Sequence, residues 1–337
     1  MKNPRTRSIA TNVAVALNAV LAVVDEDRPK ALCVRTGEGD LGLPYGPFDP
    51  TRHRTFEIGV REWVERQTNV SLGYVEQLYT FGDKGREAPV AALAGGGASD
   101  RILSVGYLAL AQEAADVLAE EAVWREWYSF FPWEDWRGGE PKLLRERIIP
   151  DLENWVGGAD ENLKTARRRR ANIAFGLEGL AWEEERTLDR YELMYEAGLV
   201  IEAWRDRFNA TLDPPMGTKP LGNETGAPMI SDHRRMLATA IGRLRGKLKY
   251  RPVIFEMTPP QFTLLALQRT VEAIVGFEFH KQNFRRSVEK SGFITPTGET
   301  SQDAGGRPAA LFRVDREGLR DRAAAGLTIP RMRRIDD

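Results

Sequence analysis

The chain has 337 residues, 42% of them hydrophobic, which suffices for one large core or two domains of unequal size and excludes a disordered polypeptide. Lys and Arg number 48 against 49 Asp and Glu, so attraction to a polyanion has to come from local clustering. A single cysteine, Cys33, excludes an internal disulfide framework and a thiolate zinc cluster, three histidines leave few metal ligands, and a reducing cytoplasm fits both.

Lys2, Arg5 and Arg7 ahead of IATNVAVALNAVLAVV imitate a secretion signal, but Asn12 and Asn18 interrupt the apolar run. The turn residues DEDRPK and a second apolar run, ALCVR, make a β-hairpin the better reading. No segment approaches the ~20 apolar residues of a bilayer span, so a cytoplasmic protein with no membrane partner is expected. A helix is predicted from about Phe56 to Gln67, with Phe56, Val60, Trp63 and Val64 on a buried face and Glu62, Glu65 and Arg66 together on another. YVEQLYTFGD and RILSVGYLAL are the next strands, separated by the glycine-rich ALAGGGASD, and the whole reads as a mixed sheet packed by helices.

WREWYSFFPWEDW, residues 124–136, holds seven aromatics in thirteen positions, a pattern for core or dimer-interface packing, with adenine stacking as the alternative. From about 138 to 215 charged helix formers take over, and Leu188, Tyr191, Tyr195 and Leu199 recur at helical spacing. The run Arg167 to Arg170 is a solvated helix face or a contact for a nucleotide or DNA phosphate, and Glu183 to Glu185 is an acidic run of the same ambiguity. A Pro/Gly-rich stretch then leads to a basic helix within MISDHRRMLATAIGRLRGKLKYRP, before which Ser231 or Asp232 is the expected cap beside His233.

Between 231 and 290 there are twelve Lys and Arg against five Asp and Glu, a local net of +7 placed where it can meet DNA phosphates. TPPQFTLLALQRTVEAIVG predicts a helix with Thr258 as N-cap, Pro259 at its first position, Gln261 completing a capping box, Gly276 at its end, and Leu264, Leu267, Val271 and Ile274 as its buried stripe. HKQNFRRSVEKSG predicts a second helix with Phe284 and Val288 inward and Lys281, Gln282, Arg285 and Arg286 outward, ended by Gly292. A hairpin follows, with Arg307 near its tip and Arg313 on the return. Helix, helix and basic hairpin are the elements of a winged helix-turn-helix, whose second helix enters the major groove. The candidate DNA contacts are Thr263, Gln268, Lys281, Gln282, Asn283, Arg285, Arg286, Lys290, Arg307 and Arg313.

Arg61, Glu62, Trp63 and Glu65 match in register the Nudix signature G-x5-E-x7-R-E-U-x-E-E-x-G-U, whose glutamates hold magnesium beside a pyrophosphate. The departures are as specific: Arg66 replaces a metal-binding glutamate, His53 the upstream glutamate, Thr68 the closing glycine, and Gly46 lies one residue out of register. With Arg66 the cluster of three carries −1 where three glutamates would carry −3, which weakens the binding of a hard cation. Arg66 also follows Glu62 by four residues and can simply pair with it for ~0.3–0.5 kcal/mol. The box alone does not separate an ordinary helix from a Nudix relic.

The flanking segments do. YVEQLYTFGD with RILSVGYLAL, the basic helix, and FTLLALQRTVEAIVG with NFRRSVEKSGFITPTGE and GRPAALFRV resemble the Nudix-related transcriptional regulators of NAD metabolism, NrtR-like, and LAWEEERTLDRYELMYEAGLV is similar to the longer alphaproteobacterial NadQ type. The resemblance implies an α+β protein: a Nudix-like α/β/α sandwich from about 8 to 250 with a helical insertion at about 138–215, then a winged helix-turn-helix from 251 to 337. It implies a homodimer that acts as a repressor on a palindromic double-stranded DNA operator controlling NAD biosynthesis genes. The effector would be NAD, ADP-ribose or ATP, with no required cofactor, no metal and no catalytic residue, held by Arg61, Glu62, Glu65, Arg66, Gln77, Tyr79 and Phe81. The competing expectation is a magnesium-dependent pyrophosphatase using Glu62, Glu65 and a third carboxylate such as Glu76. A sequence-tolerant nucleic-acid binder is a third.

Overall fold

The computed structural model describes residues 13–36, 39–83, 85–86, 101–115, 117, 122–209, 222–250, 252–301 and 308–315. The predicted hairpin forms as β1 (Val13–Asp25) and β2 (Arg28–Arg35), turned by Glu26 and Asp27, both with positive φ. Short strands β3 (Leu41–Gly42) and β4 (Tyr45–Pro47) add to β2 and β1, and β5 (Tyr74–Phe81), β6 (Arg101–Leu110) and β7 (Ala122–Glu126) complete a seven-stranded sheet. Its main order is β3-β2-β1-β6-β5, with β1 and β6 parallel at the centre and β5 antiparallel beside β6.

The central strands are buried on both faces, which is why β1 reads as nearly continuous apolar sequence. Leu17, Ala19 and Leu21 join Val105 and Tyr107 under helix α1 (Phe56–Thr68), which buries Val60 and Val64 there. Val20 and Ala22, pointing the other way, join the larger core that contains Leu237, Ile241, Leu244 and Leu248. Those four belong to the long basic helix, so the sheet is a sandwich between two helical layers. The fold is Nudix-like.

The next helices are α2 (Trp127–Phe130), α3 (Ile149–Gly157), α4 (Glu161–Phe175), α5 (Thr187–Glu196) and α6 (Ile201–Asn209), and the basic helix is α7 (His233–Tyr250). The helical texture expected at about 138–215 is thus α3 to α6, with Asp160 capping α4 and Gly176 closing it in the left-handed region. The aromatic run before it is core: Trp127, Phe130, Phe131 and Trp133 are fully buried. Of the four consecutive arginines, Arg167 stacks on Trp155 and donates to its carbonyl, Arg170 holds Glu196 in a fork, and Arg168 lies 3.7 Å from Glu178. Most of that run is therefore engaged with neighbouring helices of the same segment.

The C-terminal module consists of β8 (Gln261–Thr263), α8 (Leu264–Val275), α9 (Lys281–Ser291), β9 (Ile294–Ser301) and β10 (Ala309–Val314), the strands ordered β8-β10-β9. It is a winged helix. The expected start of α8 needs correction: Thr258 is not its N-cap but closes a 3₁₀ turn, donating to the Ile254 carbonyl at 2.8 Å. Gln261, Phe262 and Thr263 pair with Arg313, Phe312 and Leu311, and this strand pairing overrides the local capping box. Thr263 is the N-cap, accepting from the Ala266 amide at 3.1 Å. Gly276 and Gly292 end the two helices with positive φ, as the sequence indicates. Among the described residues no helix is long and apolar enough to cross a membrane.

Candidate effector site and nucleic-acid interface

Helix α1 is capped by Thr55, whose hydroxyl accepts from the Ile58 amide, and ends at Asn69 in the left-handed region. Arg61 turns along the helix and pins it to the chain before β5: it donates to the carbonyls of Leu72 and Gly73 and forks onto Glu57. Glu62 is enclosed by nitrogen groups, two guanidiniums and an imidazole, with Arg52 at 2.6 Å, His53 Nε2 at 3.3 Å and Arg66 at 3.8 Å. His53 is buried and its Nδ1 accepts from the Asp49 amide, which leaves the proton on Nε2, facing Glu62. Arg66 also lies over the Trp63 ring at 4.8 Å, while its side chain remains 55% exposed. Trp63 in turn needs Gly46 beneath it, because any Cβ there would fall 2.1 Å from the ring.

Magnesium does not fit these residues. The Glu62 carboxylate that would supply oxygen ligands already faces two guanidiniums and an imidazole, and a divalent cation would have to displace them. Among the described residues no group of three or more His, Cys, Asp or Glu side chains is arranged to hold a metal. Glu76, the third carboxylate of the pyrophosphatase reading, is corrected in the same way: it forms an ion pair with Lys247 of α7 and accepts from the Tyr74 hydroxyl at 2.7 Å.

The effector candidates on β5 do not share one face. A bulge between Gln77 and Tyr79 breaks the alternation. Gln77 pairs with Tyr107 and keeps to the side of α1, together with Arg61, Glu62, Glu65 and Arg66, whereas Phe81 pairs with Ser104 and turns into the core of α7. Phe81 is buried, with the Arg235 guanidinium over its ring at 5.4 Å, so it is not available to stack on a base. Tyr79 is 62% exposed at the strand edge and Glu65 is exposed on α1.

Beyond Phe81 lies an ionic cluster that pattern reading missed. Arg86 sits 3.4 Å above the Tyr195 ring and holds Glu192 at 3.0 Å, and Arg235 bridges Glu192, Asp232 and Asp83. Burial raises Asp232 to about 6, against the opposing pull of Arg235 and Arg86. His233 beside it is fully buried, its Nδ1 accepts from the Leu43 amide, and burial pushes it down to about 3, so the ring is neutral. These residues are far apart in sequence, and no local signal marks them as neighbours.

On the C-terminal module, α9 buries Phe284 and Val288 and leaves Lys281, Gln282, Asn283, Arg285, Arg286 and Lys290 exposed, as expected of a recognition helix. Arg285 pairs with Glu289 at 2.9 Å along the surface, an interaction that DNA can exchange at little cost. Arg313 is exposed on β10, and Arg307 lies outside the described residues. Gln268 is a correction: it is buried, and its amide donates to the Phe279 carbonyl at 3.0 Å and to Glu272 at 2.8 Å, holding the turn between the two helices. Thr263, as the N-cap of α8, has its hydroxyl engaged with the helix end.

Residues 254–314 match the model of the NrtR DNA-binding winged helix domain. The C-terminal module is similar to that domain. It is 40% identical over 82 residues to the ADPR-responsive transcriptional repressor NtrR of Acinetobacter baylyi, a match that spans 24% of this chain and 32% of the relative. The chain thus matches about a third of that relative's length. The crystal structure of Shewanella oneidensis NrtR complexed with a 27mer DNA superimposes with a TM-score of 0.53 at 19% identity, covering 93% of this chain and 97% of that one. A MutT/nudix family protein from Enterococcus faecalis superimposes with a TM-score of 0.50 at 14% identity, over 93% and 89% of the two chains. At these identities the structural likeness establishes the fold alone, and the winged helix carries the sequence relationship.

Proposed function

We propose that this NrtR-like protein is a transcriptional repressor whose winged helix reads a double-stranded DNA operator and whose Nudix-like body responds to a nucleotide without hydrolysing it. The observation that carries the reading is the C-terminal module: an NrtR-type winged helix at 254–314 whose second helix presents six polar or basic side chains outward from two buried apolar anchors. Arg and Lys supply phosphate contacts, and Arg, Gln and Asn are the side chains suited to guanine and adenine edges.

ADP-ribose is the first effector to test, ahead of NAD and ATP, since the Acinetobacter relative is an ADPR-responsive repressor. Arg66, exposed and flanked by Arg52, is suited to grip a pyrophosphate in place of a metal. Gln77 and Glu65 lie on the same side of the sheet, and Tyr79 at the strand edge is the exposed aromatic for a base. The enclosure of Glu62 by two guanidiniums and an imidazole argues against a pyrophosphatase. We place the sensor at about 8–250 and the DNA module at about 251–337, in a homodimer on a palindromic operator of NAD biosynthesis genes, with the insertion of the longer NadQ type.

The test is a gel shift with DNA from upstream of such genes, titrated with ADP-ribose, NAD and ATP in the presence of magnesium, the nucleotides being assayed for breakdown. A specific shift altered by intact ADP-ribose is expected. Arg285→Ala and Arg286→Ala should each lower operator affinity by roughly 10- to 100-fold, in keeping with ~1–3 kcal/mol per base or phosphate contact. Nucleotide consumption without a shift would overturn the reading in favour of an enzyme.

A further inference from the structure

The last turn of α8 is held almost entirely from outside the DNA module. The Tyr128 hydroxyl donates to the Ala273 carbonyl at 2.6 Å, Arg245 Nε donates to the Ile274 carbonyl at 2.9 Å, and the Trp136 amide donates to the Gly276 carbonyl at 2.6 Å. These are carbonyls that a helix C-terminus leaves without an intrahelical partner. Gly276 also packs so tightly that a Cβ would lie 2.4 Å from the Glu134 carbonyl oxygen.

Arg245, which caps α8 in this way, is fixed by a buried carboxylate. Glu134 receives Arg245 Nη1 on Oε2 at 2.5 Å, and Arg190 on both oxygens at 2.6 and 3.0 Å, with all three side chains inaccessible to solvent. Arg190 comes from α5 of the insertion and gathers the rest of it, donating to the carbonyls of Ala174 at 2.9 Å and Glu183 at 3.0 Å, with its guanidinium 3.8 Å from the Trp182 ring centre. Two cations share one carboxylate, and carbonyl oxygens from the insertion and from α8 disperse the remaining charge. On the outer side Arg269 of α8 meets Asp27 in the β1–β2 turn at 3.2 Å, and Arg137 donates to the Asp27 carbonyl at 2.6 Å.

We infer that Glu134, Arg190 and Arg245 form the joint through which the helical insertion sets the position of the DNA-binding module, with Arg190 as the positioning residue. The insertion, α7 and the aromatic segment meet α8 at this one buried point, and α8 leads directly through 276–280 into the recognition helix. A nucleotide that moves either α7 or the insertion displaces α8 through Arg245, and operator affinity follows by linkage. Arg190→Met is the informative change, since it removes the excess cation and leaves Glu134 and Arg245 as a balanced pair.

Two arms test the joint. Hydrogen exchange on the full-length protein should show at least tenfold lower protection at residues 273–279 in Arg190→Met, with α1 unchanged. The second arm rests on the repressor reading: the factor by which ADP-ribose changes operator affinity should fall at least fivefold, while the affinity for ADP-ribose itself stays within twofold of the parent. Tyr128→Phe, which removes one hydrogen bond on the opposite side of the joint, should show the same pattern more weakly and serves if Arg190→Met does not fold. Unchanged protection at 273–279 in the folded variants overturns the inference. A parent protein that binds no operator overturns the repressor reading instead, and the exchange arm still decides the joint.

Discussion

Glu62 and Glu134 are each met by two arginines, and the contrast between them separates a surface that can bind from an interior that must hold. Glu62 is 31% exposed on α1 and faces Arg52, His53 and Arg66. Glu134 is inaccessible and faces Arg190 and Arg245. Around Glu62, water screens both arginine pairs, so the arginines can exchange the carboxylate for a ligand phosphate at small cost. Around Glu134, burial alone would raise the carboxyl, but the charges of Arg190 and Arg245 outweigh it and hold the carboxyl below its ordinary value. The group stays ionised, and its partners have no solvent to fall back on.

Removing the buried charge is the severest way to probe that difference. Glu134→Gln leaves two guanidiniums in the core without a counter-ion, and the expected loss of stability is about 3–5 kcal/mol by denaturant titration. A loss below about 1 kcal/mol would mean that the cluster is not the joint it resembles.

The buried pair Asp232 and His233 sharpens the comparison through pH. His233 titrates near 6.5 when unfolded and about 3 when folded, so the unfolded chain binds the extra proton between these values. Its contribution is present above pH 6.5 and is lost as pH falls toward 3, a change of a few kcal/mol at ~1.4 kcal/mol per unit. Asp232 has the opposite sign: raised to about 6, it contributes fully below about pH 4 and loses that contribution as pH rises through 6. The histidine shift is the larger, so melting temperature should fall on acidification from pH 6.5 to 4. His233→Gln, which keeps an acceptor for the Leu43 amide and cannot titrate, should reverse or flatten that slope. The same slope in parent and variant would remove His233 as its source.

Glu62→Gln should produce the smallest effect, below ~1 kcal/mol in stability, because its pairs with Arg52 and Arg66 are solvated and the amide still offers His53 Nε2 an acceptor. If it instead destabilised the protein as much as the buried substitution, the distinction between the two clusters would fail.

The degree to which the sequence could be read follows the range of the interactions. The strand periodicity of Val13–Arg35, the apolar stripe of Val60 and Val64, the inward Phe284 and Val288, and the left-handed glycines Gly276 and Gly292 are short-range features, and each is legible where it stands. The Nudix-like helix and the exposed face of α9 were legible for the same reason. Reading failed where a distant partner intervened. A capping box at Thr258 yielded to strand pairing with residues 311–313, and the bulge after Gln77 sent Phe81 to the other face of the sheet. Gln268 was read as a DNA contact from its polarity, but it borders the apolar stripe of Leu264, Leu267 and Val271 and its amide is taken up by the Phe279 carbonyl.

Local periodicity and composition by themselves determined which segments are strands and helices and where the basic second helix of the C-terminal module lies. Only the tertiary structure decided which charges are neutralised and which remain free. Arg190 and Arg245 reach Glu134 across 56 and 111 residues of chain, and a side chain's ionic partner depends on three-dimensional proximity that no short window of sequence contains.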